Sequence, residues 1–285
     1  SESGPAFGAA RLARIAAIII GGVAVTFSAI IFQTITGNRI LTPAIMGYEA
    51  IYLLLQSLLI LILGTRSLAV VGDTGNFLLS ILCMLAYGGI VQHWLFRNGR
   101  TNIHVLLLVG LVLTMAIGTV TQFIQLVVSP GEYAILQGFS FASFHRARPE
   151  QLLHASLIVG AACLVAVRTL PTLDIIALSR DQAISLGVDW KRHVRLQFAL
   201  IAVLVAISTS LLGPTAFMGI FVANISYTLA GTVRHRVTLA LGTAVGIAIF
   251  LIAQLLVEQL FENRTTVGIL INLLCGTYFL ALMLR

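Results

Sequence analysis

Charged residues divide this chain into long stretches from which they are absent, and no other feature limits its possible folds so severely. Between ionised side chains the uncharged runs are residues 15–38, 50–65, 74–96, 101–131, 151–167, 196–233, 237–257 and 265–284. Most approach the roughly 20 residues that an α-helix needs to cross about 30 Å of hydrocarbon. Charged residues make up 9% of the 285, with mean hydropathy +1.02. A soluble domain carries roughly 25%, so lipid must be the solvent for most of this chain. No alternating barrel pattern occurs, and spanning segments must satisfy their own backbone hydrogen bonds. The expected fold is all-α, a polytopic transmembrane helix bundle forming a single domain over residues 1–285.

The run 196–233 has 38 residues and as one helix would reach about 57 Å. Gly213-Pro214 in its middle can stop one helix and start another, which raises the count from eight spans to nine. Nine spans put Arg39, Arg97, Arg100, Arg168, Arg180, Lys191, Arg192, Arg195, Arg234, Arg236 and Arg285 on one side. Arg11, Arg14, Arg66, Arg146, Arg148 and Arg264 fall on the other, eleven against six. A single crossing by 196–233 would move three residues one way and one the other, leaving 9 against 8. The positive-inside rule therefore favours nine spans, with the C-terminus in the cytoplasm and the chain in the inner (plasma) membrane. The N-terminus then lies outside, although residues 1–10 have neither a basic start nor an apolar core to export them. A ten-helix protein written without its first span is the expectation.

The net charge of +7 and pI near 9.9 do not indicate nucleic acid, because the basic residues are spread between apolar spans. They read as topology signals and contacts with lipid headgroups. Cys83, Cys163 and Cys275 lie in apolar runs without metal or redox spacing, and the six histidines show no ligand pattern. The only lysine, Lys191, follows Asp189-Trp190 rather than the glycines of a phosphate-binding loop. GxSxG and HExxH are also missing. The chain is expected to be no enzyme, to bind no cofactor or metal, and to leave any ATP chemistry to another polypeptide.

Two polar segments and several intramembrane residues are candidates for function. In residues 169–195 (TLPTLDIIALSRDQAISLGVDWKRHVR), Ser179 with Gln182 resembles a capping box, Gly187 suits a left-handed helix stop, and Asp189 can cap a helix from Trp190. This is either a rigid docking knob or an ordinary charged loop. Residues 129–150 (SPGEYAILQGFSFASFHRARPE) are too polar to span and too aromatic for a tether, and predict a short helix lying on the outer surface. Arg11, Arg14 and Arg264 sit at the outer side, as forked partners for carboxylates on another protein or as headgroup anchors. Glu49 and Glu258 stand at the edges of uncharged runs. Thr114, Thr121, Gln122 and Gln125 fall close to one helical face, either a pathway wall or helix–helix hydrogen bonding. Gly242 and Gly246 form a GxxxG packing pair.

The residues RLARIAAIIIGGVAVTFSAIIFQTITGNRILTPAIMG, ALSRDQAISLGVDWKRHVR, GPTAFMGIFVANI and the C-terminal TTVGILINLLCGTYFLALMLR resemble, in order, four stretches of the iron–siderophore and vitamin B12 permeases of ABC importers. Arg11, Arg14, Gln33, Asn38, Pro43 and Gly47 carry the first match. Asn38-Arg39-Ile40-Leu41-Thr42-Pro43 replaces the common N-P-L-A-x-P, and Ala223-Asn224 replaces Pro-His, departures that look like the catecholate-type siderophore branch. Glu49 falls where the family often has small or polar residues.

The resemblance implies a permease that imports ferric siderophores, beside a second permease (a different paralogue or another copy). Two ATPase subunits carrying ATP and Mg would lie below, and a substrate-binding protein would deliver from outside. Ser179, Arg180, Asp181, Gln182, Leu186, Gly187, Val188, Asp189, Lys191 and Arg192 would sit in the ATPase groove. Arg11, Arg14 and Arg264 would meet the binding protein. The pathway would run along helices at about 103–128 and 267–284, adding Asn272 and Thr277 to the Thr/Gln face. Alternatives are a haem or cobalamin importer on the same scaffold, or a secondary transporter driven by an ion gradient.

Overall fold

The computed structural model describes residues 5–97, 103–232, 234–262 and 264–283. Every uncharged run becomes helix, and no strand occurs among the described residues. Chain order gives α1 (Pro5–Thr36), a 3-10 turn (Pro43–Met46), α2 (Tyr48–Leu63), α3 (Ser67–Val71), α4 (Asp73–Arg97) and α5 (Ile103–Val127). There follow α6 (Pro130–Ser140), a 3-10 turn (Phe144–Arg146), α7 (Pro149–Arg168), α8 (Leu170–Ile176), α9 (Arg180–Ser185) and α10 (Trp190–Leu212). The last three are α11 (Ala216–Ala230), α12 (His235–Gln259) and α13 (Val267–Met283). Gly213-Pro214 does split run 196–233, into α10 and α11. Among the described residues, seven helices are long and apolar enough to cross a bilayer, and α11 and α13 supply two shorter apolar segments.

We call the end of the bundle at which α1 starts the N-face and the opposite end the C-face. The antiparallel helices carry Arg39, Arg168, Arg180, Lys191, Arg192, Arg195, Arg234 and Arg236 to the C-face. Arg11, Arg14, Arg66, Arg146, Arg148 and Arg264 go to the N-face. Arg97 ends α4, while Arg100 and Arg285 lie outside the described residues.

α1 and α10 form the centre, each with 72% of its apolar window buried, whereas α5 has 17%. Phe32 and Phe198 meet edge to face between them, centroids 6.3 Å apart. α2, α4, α7, α11 and α12 surround this pair, while α5 leans on α2 and the first 3-10 turn, and α13 leans on α11 and α12. Several polar residues inside the spans turn inward, among them Gln33, Gln56, Thr121 and Gln254, whereas Thr119, Gln122, Asn272 and Thr277 are exposed. Gln56 Nε2 donates to Asn76 Oδ1 (3.0 Å) and Ser80 Oγ (3.1 Å), and Asn76 Nδ2 returns a bond to Gln56 Oε1 (3.2 Å). Lipid offers these groups no partner, so such pairs hold α2 against α4.

The 3-10 turn Pro43–Met46 lies at mid-depth, because it packs on Gly110 and Thr114 in the middle of α5. Non-helical backbone survives there only if protein satisfies it. Tyr87 Oη donates to Met46 O (2.8 Å) and Thr114 Oγ to Ile45 O (3.2 Å). Gly47 ends the turn at φ +88°, and a Cβ there would fall 2.5 Å from Tyr87 Oη.

α1 approaches α12 through small residues. Thr26 Oγ donates to Gly242 O (3.2 Å), and a Cβ on Gly246 would lie 2.7 Å from Thr26 Oγ and 3.3 Å from Gly22 O. Gly246→Val therefore forces these helices apart and should lower stability by about 1–3 kcal/mol, read as a lower Tm in detergent; an unchanged Tm contradicts this packing.

Candidate functional site

On the C-face, α8 and α9 build a compact projection between α7 and α10. Leu170, Leu173 and Ile176 share the buried side of α8, which anchors the projection against the bundle. Ser179 Oγ accepts from Gln182 N (3.3 Å) and opens α9. Its end is a full Schellman motif, with Val188 N–H to Ala183 O (3.0 Å) and Gly187 N–H to Ile184 O (2.9 Å), Gly187 standing at φ +84°. Asp189 Oδ1 then accepts from Arg192 N (3.2 Å) to cap α10. Start, stop and restart all lie at the residues expected from sequence. Ala183 and Trp190 root the element in the core, and Val188 is half-buried. Ser179, Arg180, Asp181, Gln182, Leu186, Gly187, Asp189, Lys191 and Arg192 are exposed.

Sequence reasoning missed two residues here. Leu178 and Ile184, 57% and 49% exposed, add to Leu186 at 61% as apolar side chains left in solvent on the projection. Helical spacing makes Ile184 and Leu178 look like core; the placement of α9 outside the bundle turns Ile184 to solvent. Exposed aliphatic residues suit a protein partner better than water.

The N-face differs from expectation at two places. Segment 129–150 does contain a short helix, α6, opened by a reciprocal capping box. Ser129 N donates to Glu132 Oε2 (2.9 Å), and Ser129 Oγ accepts from Glu132 N (3.4 Å). The Ser129 backbone N–H, and then its hydroxyl, which donates to Glu132 Oε2 (2.9 Å), hold the Glu132 carboxyl below the usual range. The residues after α6, however, do not lie on the surface: Ala142, Phe144 and Ala147 are buried, and the chain dips between α10 and α13. Ser143 N donates to Leu212 O (2.8 Å), Gly268 N to Ala142 O (3.1 Å), and Phe144 packs on Phe250 with centroids 5.2 Å apart.

The second difference concerns Arg14. Rather than projecting outward, its guanidinium is 19% exposed and holds Glu258 at 2.5 Å, and Gln254 Nε2 donates to the same carboxylate oxygen (2.6 Å). A carboxylate at the penultimate position of α12 captures the cation before any partner can, which no local sequence pattern reveals. His145 stands beside this pair, 3.5 Å from Gln254, and its imidazole is held below the usual range by burial and then by Arg14. Arg11 and Arg264 are exposed on the same face, Arg264 meeting Glu262 at 3.3 Å.

The break between α10 and α11 is served from both sides by charge. Arg146 Nη2 donates to Leu212 O (3.1 Å) and to Phe141 O (2.5 Å), so it satisfies a carbonyl left over at the end of α10. Across the break, Glu49 Oε1 accepts from Thr215 N (2.9 Å), which satisfies an N–H at the start of α11.

The pathway residues do not share one open face. Thr114 bonds Gly110 O (2.7 Å) and Ile45 O, and Thr121 is buried and bonds Ile117 O (2.9 Å). Both point into their own protomer. Gln125 is half-buried and Gln122 exposed, the latter about 80–100° around the helix from Thr114 and Thr121. The expected wall is thus divided, because the mid-depth turn draws the threonines inward. On α13, Asn272 and Thr277 are both exposed, but Thr277 Oγ is spent on Leu273 O and Leu274 O (3.0 Å each).

A family profile described as the FecCD transport family matches residues 5–285. The petrobactin import system permease protein YclO of Bacillus subtilis is 33% identical over 275 residues, covering 96% of this chain and 87% of YclO. The petrobactin import system permease protein FatC of Bacillus anthracis is 32% identical over 276 residues, covering 96% of this chain and 78% of FatC. Among solved structures, a metal-chelate type ABC transporter in an inward-facing conformation superposes with a TM-score of 0.85 at 21% identity, covering 96% of this chain and 87% of that one. The fold is therefore shared.

Glu49→Ala should strand the Thr215 N–H and lower stability by about 1–3 kcal/mol, whereas Glu49→Gln keeps an acceptor and loses less. Melting temperatures in detergent should rank wild type, Gln, Ala; Ala matching wild type contradicts the capping role.

Proposed function

We propose that this chain, which belongs to the FecCD transport family, is the permease subunit of an ATP-driven importer that carries ferric siderophores across the inner membrane. The observation that carries the substrate class is identity of about one third, along 96% of the chain, with permeases named for petrobactin import, petrobactin being a siderophore. The C-face is cytoplasmic in this reading, supported by its excess of Arg and Lys. The N-face receives a substrate-binding protein, with Arg11 and Arg264 as direct contacts and Arg14 acting through its pair with Glu258.

The α8–α9 projection is the ATPase contact. A capped helix closed by a Schellman motif resists fraying, and the element exposes both aliphatic side chains (Leu178, Ile184, Leu186) and cationic ones (Arg180, Lys191, Arg192) to a partner. Two ATPase subunits hold ATP and Mg, and this chain makes no covalent bond. A second permease, a different paralogue, covers the open faces of α5 and α13, and the path lies between the two. Gln122, Asn272 and Thr277 remain as its exposed polar groups, together with Thr119. ATP binding biases the bundle between outward- and inward-open states through its different affinity for each.

An ion-coupled mechanism would need ionisable groups free to titrate at depth. Both carboxylates at the edges of the apolar runs are engaged, Glu49 by Thr215 N–H and Glu258 by Arg14 and Gln254. The Arg14–Glu258 ion pair disfavours the secondary-transport reading at Glu258.

Affinity purification of this chain from its native membrane should bring down an ATPase carrying a phosphate-binding loop and a different permease. Recovery of the chain alone, or only with copies of itself, contradicts the assembly. Gly187→Val should uncouple it: a Cβ meets nothing within 4 Å, so the penalty is conformational, about 1–2 kcal/mol for left-handed backbone. More ATP should be hydrolysed per substrate imported, and an unchanged ratio contradicts the docking role.

A further inference from the structure

Beside the apolar anchor of Leu170, Leu173 and Ile176, a polar contact between the α8–α9 projection and the centre of the bundle runs through three side chains that neither motif nor composition singles out. Asp174, on α8, accepts with one carboxylate oxygen from His235 Nδ1 (2.5 Å) and from the backbone N–H of the same residue (2.9 Å). It therefore caps the first turn of α12 from another helix, where a carboxylate is favoured by both the orphan N–H and the dipole. The far side of the ring, Nε2, lies 2.7 Å from Thr34 Oγ on α1. Thr34 Oγ in turn reaches Ile30 O at 2.8 Å. His235 is 3% exposed, while the Asp174 side chain keeps 40% of its surface open, so it is the buried ring that loses a partner if the contact breaks.

The three residues come from three elements with different standing. α8 carries the exposed projection, α12 is a spanning helix packed on α1, and α1 is the buried axis of the fold. A shift of α8 relative to α1 has to break the His235–Asp174 or the His235–Thr34 contact inside the protein, which strands a buried polar group. α8, the start of α12 and the end of α1 are thereby constrained to move as one body. Arg39 extends the cluster outward, its guanidinium 4.6 Å from the Tyr227 ring centroid, while its carbonyl accepts from Asn224 Nδ2 (3.3 Å).

We infer that Asp174, His235 and Thr34 are positioning residues for coupling: they pass displacement of the ATPase-docking projection to α1 and α12, and so to the transport path. This rests on the permease reading above. It assigns the transmission to side-chain bonds rather than to chain continuity through α10 alone. Coupling between distant sites needs such an element, held in one discrete arrangement and released in another.

The test uses the whole importer, with this chain, its partner permease, the ATPases and the binding protein in proteoliposomes, measuring ATP hydrolysis and substrate uptake on the same sample. His235→Ala should leave the complex assembled and hydrolysing ATP while uptake per ATP falls roughly fivefold or more. Asp174→Asn should lower the ratio as well, and the double variant should be no worse than His235→Ala, since the residues act as one unit. Asp174→Glu, which keeps the carboxylate, should recover part of the loss. If His235→Ala does not assemble, Thr34→Val removes a single hydroxyl and should lower the ratio in the same direction. Variants that keep the wild-type ratio overturn the inference, and so does a loss that merely follows the amount of folded complex. Wild-type vesicles that import without ATP overturn the permease reading itself, an outcome distinct from both.

Discussion

Backbone polar groups inside a bilayer find no water, and this constraint explains where the chain places its few buried charges. The bundle breaks its helices at depth in two places, at Pro43–Met46 and between α10 and α11. Each break leaves carbonyls or N–H groups that only the protein can satisfy. At the second break Arg146 serves the carbonyl of Leu212 and the Glu49 carboxyl serves the N–H of Thr215. At the first, Tyr87 and Thr114 hydroxyls do the same work. Side chains that look like candidates for ion binding or a substrate path turn out to be committed to holding irregular backbone in place.

This is also why the global plan could be read from sequence and the site could be read only in part. Uncharged run lengths, the Gly213-Pro214 break and the Arg/Lys imbalance follow from bilayer thickness and helix geometry, which are local. The caps at Ser179, Gly187 and Asp189 were equally legible, since each depends on neighbours within a few residues. What sequence hid was set by partners far along the chain. Arg14 meets Glu258 across 244 positions, and Thr114 reaches Ile45 across 69. The burial of Ala142, Phe144 and Ala147 answers to Leu212 and Gly268, and the exposure of Ile184 follows from α9 standing outside the bundle.

Family membership and geometry divide the functional account between them. The family and its relatives carry the substrate class and the dependence on ATP. The fold adds how the parts are joined: a compact C-face projection, a central pair α1 and α10, and two open helices, α5 and α13, at the margin. Between projection and centre lies the Asp174–His235–Thr34 bridge. On the opposite face the 141–147 dip and the Arg14–Glu258 pair tie α1, α10, α12 and α13 together, so both ends of the axis are fastened.

The central claim is that this polypeptide conducts solute but takes its energy from a separate ATPase. It is tested most directly by reconstituting the purified assembly in vesicles and supplying either hydrolysable ATP or an ion gradient alone. The account predicts uptake of a ferric siderophore that needs ATP hydrolysis and survives a protonophore. Uptake by this chain without any ATPase, driven by the gradient and abolished by the protonophore, would contradict it.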